Sequence, residues 1–164
     1  MPRDNYPATV NEVLDPNAKF KPAALRAVRA FARSHPWTGT VDERKEKFRK
    51  LNHDLAAAYG IPEPELVFDH LDGSHSGDSS YSPAPYRITL RGRLSVVTML
   101  HEWGHARRMG ERGACRWSIN LFRRCFPRQY AKLEHVGHML VRRGQNGGRA
   151  YLAGQYTGDP ETRQ

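Results

Sequence analysis

The hydrophobic positions near the start of the chain follow the period of an α-helix. In the segment 22–34, Leu25, Val28 and Phe31 fall on one face, which predicts an amphipathic helix. A second helix is predicted after Thr40, because Thr40 and Glu43 have the spacing of a capping box, and Gly60 is a residue type that commonly ends helices. The apolar stripe of this second helix consists of Phe48, Leu51, Leu55 and Tyr59.

The pattern then changes from helical to extended. The segment 65–70 predicts a short strand, and the alternating segment 86–90 predicts a half-buried one. Between them, a polar loop rich in glycine and serine precedes a short stretch, 81–84, whose proline suits an edge strand. The middle of the chain therefore predicts a small sheet.

After Gly92 the helical period returns. Helices are predicted at 95–109, closed by Gly110, and at 111–126, where Ala114, Trp117, Leu121 and Cys125 share one face. A third helix is expected from Pro127 to Gly144, with Tyr130, Leu133 and Leu140 repeating along it. We predict an α+β fold with one domain over 1–144, a size that can bury one core, and a mobile tail over 145–164.

The motif that carries chemistry is H-E-x-x-H in the predicted helix 95–109. His101 and His105 are four residues apart, so both imidazoles project from one face and can bind one zinc ion. Glu102 is rotated about 100° from His101 and can take a proton from a water on the metal. Gly104 weakens a helix interior, which indicates that another backbone approaches closely there.

The sequence "LHEWGHA" after "YRITL" resembles the zincin metallopeptidases, whose active-site helix contains HExxH. The order of elements is similar to that of the small zincins of the ImmA/IrrE and SprT-like kinds, over roughly residues 65–126. This resemblance implies a zincin-like single domain and a cytoplasmic zinc metallopeptidase that acts on a protein or peptide. It also implies that His101 and His105 are ligands, that Glu102 is the general base and that the strand 86–90 lines the substrate cleft.

The sequence indicates the third metal ligand less directly than it indicates the two histidines of the motif. The longer metzincin motif would require glycine at 108 and histidine at 111, where the chain has Arg108 and Glu111. We predict Glu111, because a left-handed turn at Gly110 would fold the next helix back beside His105. Glu111 could instead be an acid that only stabilises a helix N-terminus. The alternative ligands are His138, His135, Glu134 and Cys115; Tyr130, His135 and His138 are also possible oxyanion donors.

The two cysteines do not form a disulfide if they share one helix. Ten residues separate Cys115 from Cys125, which corresponds to about 15 Å of helical rise, whereas a disulfide needs Cα atoms within about 7 Å. Cys115 is expected to be a buried small side chain. The N-terminus has no apolar signal region and no run of 18 apolar residues occurs, so we expect a soluble cytoplasmic protein without a membrane contact.

The charge of the chain is unevenly distributed. Of the total of +9, the segment 87–149 contributes +11, from 14 lysines and arginines against three glutamates, and the remainder contributes −2. Such a basic half is typical of nucleic-acid binding, but it is also typical of a solvated surface without a partner. Two further hypotheses therefore remain: a nucleic-acid-associated zinc protein, and a toxin, immunity or mobile-element factor with restricted protease activity.

If the basic half binds DNA, the affinity should fall steeply as the salt concentration rises, because each neutralised phosphate releases counterions. Charge reversal at Arg123, Arg124, Arg142 and Arg143 should weaken binding with little dependence on the DNA sequence. A salt titration with duplex and single-stranded DNA measures both effects. Failure to bind either form at low salt would leave the arginines as a solvated surface.

Overall fold

The structure of the protein, a computed structural model, describes residues 9–69, 71, 79–84, 86–92, 94–136 and 139–143. The predicted tail 145–164, the loop residues 72–78 and His138 lie outside the described residues. Helices and two small sheets combine in the α+β fold that the sequence predicts. In chain order the elements are α1 (Val10–Val13), α2 (Pro22–Arg33), α3 (Val41–Tyr59), β1 (Glu65–Asp69), β2 (Ser80–Pro83), β3 (Tyr86–Arg91), α4 (Val96–Ala106), α5 (Glu111–Cys125), α6 (Pro127–Ala131), β4 (Leu133–Val136) and β5 (Met139–Arg142).

Helix α3 begins and ends as its sequence predicts. The Glu43 amide donates to the Thr40 hydroxyl at 3.1 Å, and the Thr40 amide donates to the Glu43 carboxylate at 2.7 Å, so the capping box is confirmed. Gly60 ends the helix in the left-handed conformation at φ 63°. The buried faces of α2 and α3 meet at Phe31 and Phe48, whose rings pack edge to face with centroids 5.0 Å apart.

The three-stranded sheet has the order β1-β3-β2, with β1 parallel and β2 antiparallel to β3. Ile88 and Leu90 of the central strand are fully buried. Both edges of β3 are hydrogen-bonded to neighbours, so a substrate could not pair with its backbone. The outer edges of this sheet belong to β1 and β2, and the expectation that the strand 86–90 lines a substrate cleft stays a prediction.

Helix α4 is the central helix of the fold, and ten of its eleven residues are buried. Ser95 caps its N-terminus by accepting from the Thr98 amide at 3.1 Å. On the side of α3, the Trp103 indole donates to the Asn52 side-chain oxygen at 2.9 Å, and the Asn52 amide nitrogen donates to the Pro64 carbonyl at 2.9 Å. One buried asparagine thus connects α4, α3 and the segment that leads into β1. None of the described helices is long and apolar enough to cross a membrane.

The end of α4 differs from the prediction. The helix stops at Ala106, three residues early, and the left-handed residue is Arg108, at φ 68°, whereas Gly110 has φ −76°. The Met109 amide donates to the Gly104 carbonyl at 3.0 Å, and the Arg108 amide donates to the His105 carbonyl at 2.8 Å. This pair of bonds is a Schellman motif, which satisfies the last carbonyls of the helix. It closes the helix before Gly110, which instead precedes the first residue of α5.

The predicted third helix from Pro127 to Gly144 is also wrong. A short helix, α6, begins at Pro127 and ends at Ala131, and β4 and β5 then form an antiparallel pair. Leu133 pairs with Arg142, and His135 pairs with Leu140. This register places Leu133 and Leu140 on the same face of the pair, as a spacing of seven would in a helix. The two leucines satisfy either period, so their spacing could not distinguish the two structures.

The predicted reason for Gly104 is confirmed by its surroundings. A Cβ atom added to Gly104 would lie 2.9 Å from both Cα and Cβ of Ala114 on α5. Such an approach is closer than real Cβ atoms make, and the Cα of Ala114 cannot move without shifting the backbone of α5. Glycine at this position therefore sets how closely the two helices pack.

Gly104→Ala should lower the free energy of unfolding, as measured by urea titration. Overpacking a core costs about 1–3 kcal/mol, which exceeds the roughly 0.5–1 kcal/mol that alanine gains over glycine inside a helix. Gly113→Ala is the matched control, because its added Cβ would meet only the Met109 side chain, at 3.4 Å. We expect this control to be as stable as the unmodified protein or more so. Equal stability of Gly104→Ala and the unmodified protein would contradict the packing argument.

Candidate metal centre

The two motif histidines face each other on α4. Their spacing of four residues places one imidazole above the other, and the ring centroids lie 4.7 Å apart at 86°. The Nε2 atoms of His101 and His105 are 3.1 Å apart. Two nitrogens bound to one tetrahedral zinc ion at about 2.0–2.1 Å would stand roughly 3.3 Å apart, so both atoms lie close to the positions of a shared ion.

A carboxylate from the next helix joins the two imidazoles. Glu111, the first residue of α5, places Oε1 at 3.6 Å from His101 Nε2 and in direct contact with His105 Nε2. One donor atom from each of the three side chains lies within 4.8 Å of the others, and this is the group of possible metal-binding residues found in the described part of the chain. The structure thus brings together the three residues that the sequence singles out, and their binding of zinc stays a prediction.

Cys115, Glu134 and His135 do not belong to the donor group, and the fourth alternative ligand, His138, lies outside the described residues. The Cys115 sulfur contacts Nδ1 of His101 at 3.9 Å, whereas Glu111 approaches the Nε2 atom of the same ring. Glu134 and His135 lie on β4 and do not join the donor group. The Tyr130 hydroxyl and His135 Nε2 are hydrogen-bonded at 2.6 Å, so these two candidate oxyanion donors are engaged with each other.

The backbone turn after α4 orients His105. Nδ1 of His105 donates to the Met109 carbonyl at 2.9 Å, which leaves Nε2 to face Glu111 and His101. Such a contact from the second ring nitrogen fixes the tautomer of a metal-binding histidine. The Met109 carbonyl is a functional group that sequence reasoning missed, because its position depends on the left-handed conformation of Arg108.

Burial and charge shift the pKa values of the two histidines in opposite directions. Burial lowers the pKa of His101, which is only 3% exposed, although the Glu111 carboxylate partly opposes this. Burial also acts to lower the pKa of His105, but hydrogen bonds to Glu111 and Met109 and the nearby carboxylates raise it overall. His105 therefore holds a proton more readily than His101 does, and a metal bound by both rings would compete with that proton.

Glu102 lies inside the protein next to the donor group. It is 5% exposed, and burial raises its pKa to about 8, while the charge of His105 partly opposes the shift and that of Glu111 adds to it. Glu102 is not a member of the group of possible ligands. A buried carboxyl group that changes its protonation state near neutral pH is suited to proton transfer.

Arginines of the basic half make contacts within the protein. Three of them lie on one face of α5 and contact the N-terminal segment: Arg112 pairs with Glu12, Arg116 lies 3.8 Å from Asp15, and Arg124 donates to the Ala18 carbonyl. Between them, Asn120 donates to the Val13 carbonyl at 2.8 Å. This face of α5 therefore packs against the N-terminal segment, and binding of nucleic acid stays a prediction without a contact that favours it.

Arg107 is engaged in a different way. Its guanidinium lies over the Tyr59 ring at 3.9 Å and near the Trp117 ring at 5.3 Å from the centroids. The two aromatic rings themselves pack with centroids 6.4 Å apart. Arg107 thus joins the ends of α3 and α4 to α5, a structural role that the charge pattern alone did not indicate.

Comparisons with known proteins give no relative from which a role could be transferred. A scan against protein-family models found no matching family, and searches of the curated proteins and of the solved structures found no significant match.

The purified protein should bind about one zinc ion per chain, and Glu111→Ala should weaken the affinity by orders of magnitude. The reason is that the variant removes the oxygen donor that faces both histidines in the group found among the described residues. Competition with a chromophoric chelator measures the affinity, and elemental analysis measures the stoichiometry. His101→Ala and His105→Ala should abolish binding.

Glu134→Ala is the matched control, since Glu134 is a glutamate outside the donor group, and it should keep the full affinity for zinc. A carboxylate that only stabilised the helix N-terminus would contribute roughly 0.3–1 kcal/mol, and its loss would lower the melting temperature without affecting zinc. If Glu111→Ala kept full zinc affinity and Glu134→Ala lost it, the third ligand would be Glu134 on β4 and not Glu111.

Proposed function

We propose that the protein is a zinc-dependent metallopeptidase that hydrolyses peptide bonds with Glu102 as the general base. The observation that supports this most directly is the convergence of the His101, His105 and Glu111 donor atoms beside a buried glutamate. Two imidazole nitrogens and one carboxylate oxygen form a donor set that suits zinc and leaves a fourth position for a water or a substrate.

The zinc ion and the side chains of the protein would have different roles in the reaction. Zinc, when bound, would act as a Lewis acid on the substrate carbonyl and would make a water molecule more acidic. Glu102 accepts the proton from that water and can return it to the leaving amine, because its raised pKa of about 8 allows both protonation states near neutral pH. His105 is held for its role by the Met109 carbonyl.

Two features favour a catalytic site over a purely structural one. A structural zinc site is usually closed by four protein ligands, whereas three donors converge among the described residues. Burial of Glu102 is unfavourable for its charged form, as its raised pKa shows, and a structural site has no need of such a group.

The exposure of the donor residues indicates how a substrate would reach the site. The His101 side chain is 4% exposed, whereas those of His105 and Glu111 are 18% and 28% exposed. The donor group is thus buried on the His101 side and open to solvent on the Glu111 side. A polypeptide could approach from that side, which fits a protein or peptide substrate.

The resemblance to small zincins supports the same proposal. The α+β fold has the two predicted helices, α2 and α3, and a small sheet before the motif helix, and the short helix α1 precedes them. By the same resemblance we infer that the protein acts in the cytoplasm. A substrate range restricted to one partner, as in a toxin, immunity or mobile-element factor, would be a narrower form of this activity.

Glu102→Gln should keep the bound zinc and eliminate hydrolysis, since glutamine has the shape of glutamate but cannot accept the proton. The assay is incubation with a peptide library prepared from a whole proteome, followed by mass spectrometry of newly formed N-termini. The rate for Glu102→Gln should fall by at least about a hundredfold, the lower end of what a positioned general base contributes.

Glu134→Gln is the matched control, because it makes the same change at a partly buried glutamate outside the donor group. It should cleave the library at the unmodified rate. Zinc-loaded Glu102→Gln that cleaves as fast as the unmodified protein would exclude Glu102 as the base. A zinc-loaded unmodified protein that cleaves no member of the library would contradict a general peptidase and leave only the restricted form.

A further inference from the structure

The Nδ1 atom of His101 faces an unusual partner. Metal-binding histidines almost always donate their second ring N–H to a carboxylate, a backbone carbonyl or water, as His105 does to Met109. For His101 the hydrogen-bond partner of Nδ1 among the described residues is the Cys115 sulfur, at 3.9 Å. Both side chains are almost fully buried, at 3% and 0% exposure.

We infer that Cys115 is a positioning residue: its sulfur accepts the Nδ1–H of His101 and thereby keeps the Nε2 lone pair directed at the metal. This inference rests on the metal site of the proposed function. It extends that site by a residue of α5 that binds neither metal nor substrate.

The geometry assigns the sulfur to positioning and not to ligation. Nδ1 and Nε2 point in nearly opposite directions from the imidazole ring, so a group that contacts Nδ1 lies on the side away from Glu111. Cys115 is accordingly absent from the group of possible ligands in the described part of the chain.

The alternative hydrogen bond would have the opposite effect. If the thiol donated to Nδ1, the ring would carry its proton on Nε2, the atom that faces His105 and Glu111, and His101 could not bind a metal without changing its tautomer. Acceptance by sulfur is a weak contact, but no stronger acceptor for Nδ1 is present among the described side chains. When Nε2 binds the metal, Nδ1 carries the proton, and the sulfur is then the acceptor for this N–H among the described side chains.

The close packing of α4 and α5 explains why this position holds a cysteine. Cys115 follows Ala114, whose Cα would contact a Cβ atom added to Gly104, so the space between the helices is narrow there. A carboxylate or an amide would need more room and further hydrogen-bond partners inside the core. A thiol is small, packs as an apolar group and can still accept a weak hydrogen bond.

The test compares Cys115→Ala, Cys115→Val and Cys115→Ser with Cys125→Ala. Cys125 is the matched control, since it is a second buried cysteine on the same helix, away from the donor group. Alanine and valine both remove the acceptor, but valine keeps apolar volume, so any effect of a cavity appears only in alanine. Serine restores an acceptor. Chelator competition measures zinc affinity, and long-range ¹H–¹⁵N correlation spectra of histidine-labelled protein report the tautomer of His101.

We expect Cys115→Ala and Cys115→Val to bind zinc about tenfold more weakly, the lower end of the loss seen for outer hydrogen-bond partners of metal-binding histidines. Cys115→Ser should stay within about threefold of the unmodified protein, and Cys125→Ala should be unchanged. In the zinc-free spectra, the Nδ1–H tautomer of His101 should be more populated in the unmodified protein and in Cys115→Ser than in the alanine and valine variants, because the Glu111 carboxylate that faces Nε2 favours the other tautomer in all of them.

Unchanged zinc affinity and tautomer in both Cys115→Ala and Cys115→Val would overturn the inference. A sulfur-to-cobalt charge-transfer band in the cobalt-substituted protein that disappears in Cys115→Ser would also overturn it, because the sulfur would then be a ligand. These outcomes differ from failure of the proposed function. If the unmodified protein bound no zinc, the metal site itself would be contradicted, and the role of Cys115 with it. If it bound zinc but cleaved no peptide, only the proposed activity would be contradicted, and the role of Cys115 would still hold.

Discussion

The close contact between α4 and α5 is the constraint on which the site depends. With glycine at 104, the Cα of Ala114 can approach to a distance that any side chain would prevent. Because only four residues connect the helices, this contact also fixes where α5 begins. Glu111 is the first residue of α5, and so its carboxylate reaches the Nε2 atoms of His101 and His105. A wider spacing between the helices would separate the acidic donor from the two imidazoles.

The same contact places polar groups inside an apolar core. Ten of the eleven residues of α4 are buried, and they include His101 and Glu102. Burial lowers the pKa of the first and raises that of the second, so the interior disfavours the charged form of each. Burial of these two ionisable groups is unfavourable for stability. On the side of α3, the buried Trp103–Asn52 hydrogen bond stabilises the position of α4. Such a local conflict with stability is typical of a functional site.

The basic half of the chain shows why net charge does not identify a partner. Arg112, Arg116 and Arg124 lie on one face of α5 and contact the segment that contains Glu12, Asp15 and Ala18. These contacts join parts of the chain about a hundred residues apart, and they hold the helix that begins with Glu111. Residues that look like a phosphate-binding surface in the sequence thus contribute to the tertiary structure that positions the donor group.

The sequence by itself determined the elements whose signals are local. The capping box at Thr40, the left-handed Gly60 and the alternation over 86–90 each depend on residues a few positions apart, and the structure confirms all three. The spacing of His101 and His105 likewise places both rings on one face, whatever else the chain does.

Only the tertiary structure decided the features that depend on distant packing. Leu133 and Leu140 fit a helix and a strand pair equally well, and burial against the rest of the core selected the strands. The left-handed conformation fell on Arg108 because the Schellman motif closed α4 early, and this placed the Met109 carbonyl beside His105. The positions of Glu111 and Cys115 around His101 follow from how two helices pack. Local sequence determines where a helix begins and which face is apolar, but the distance between two helices is a property of the whole core.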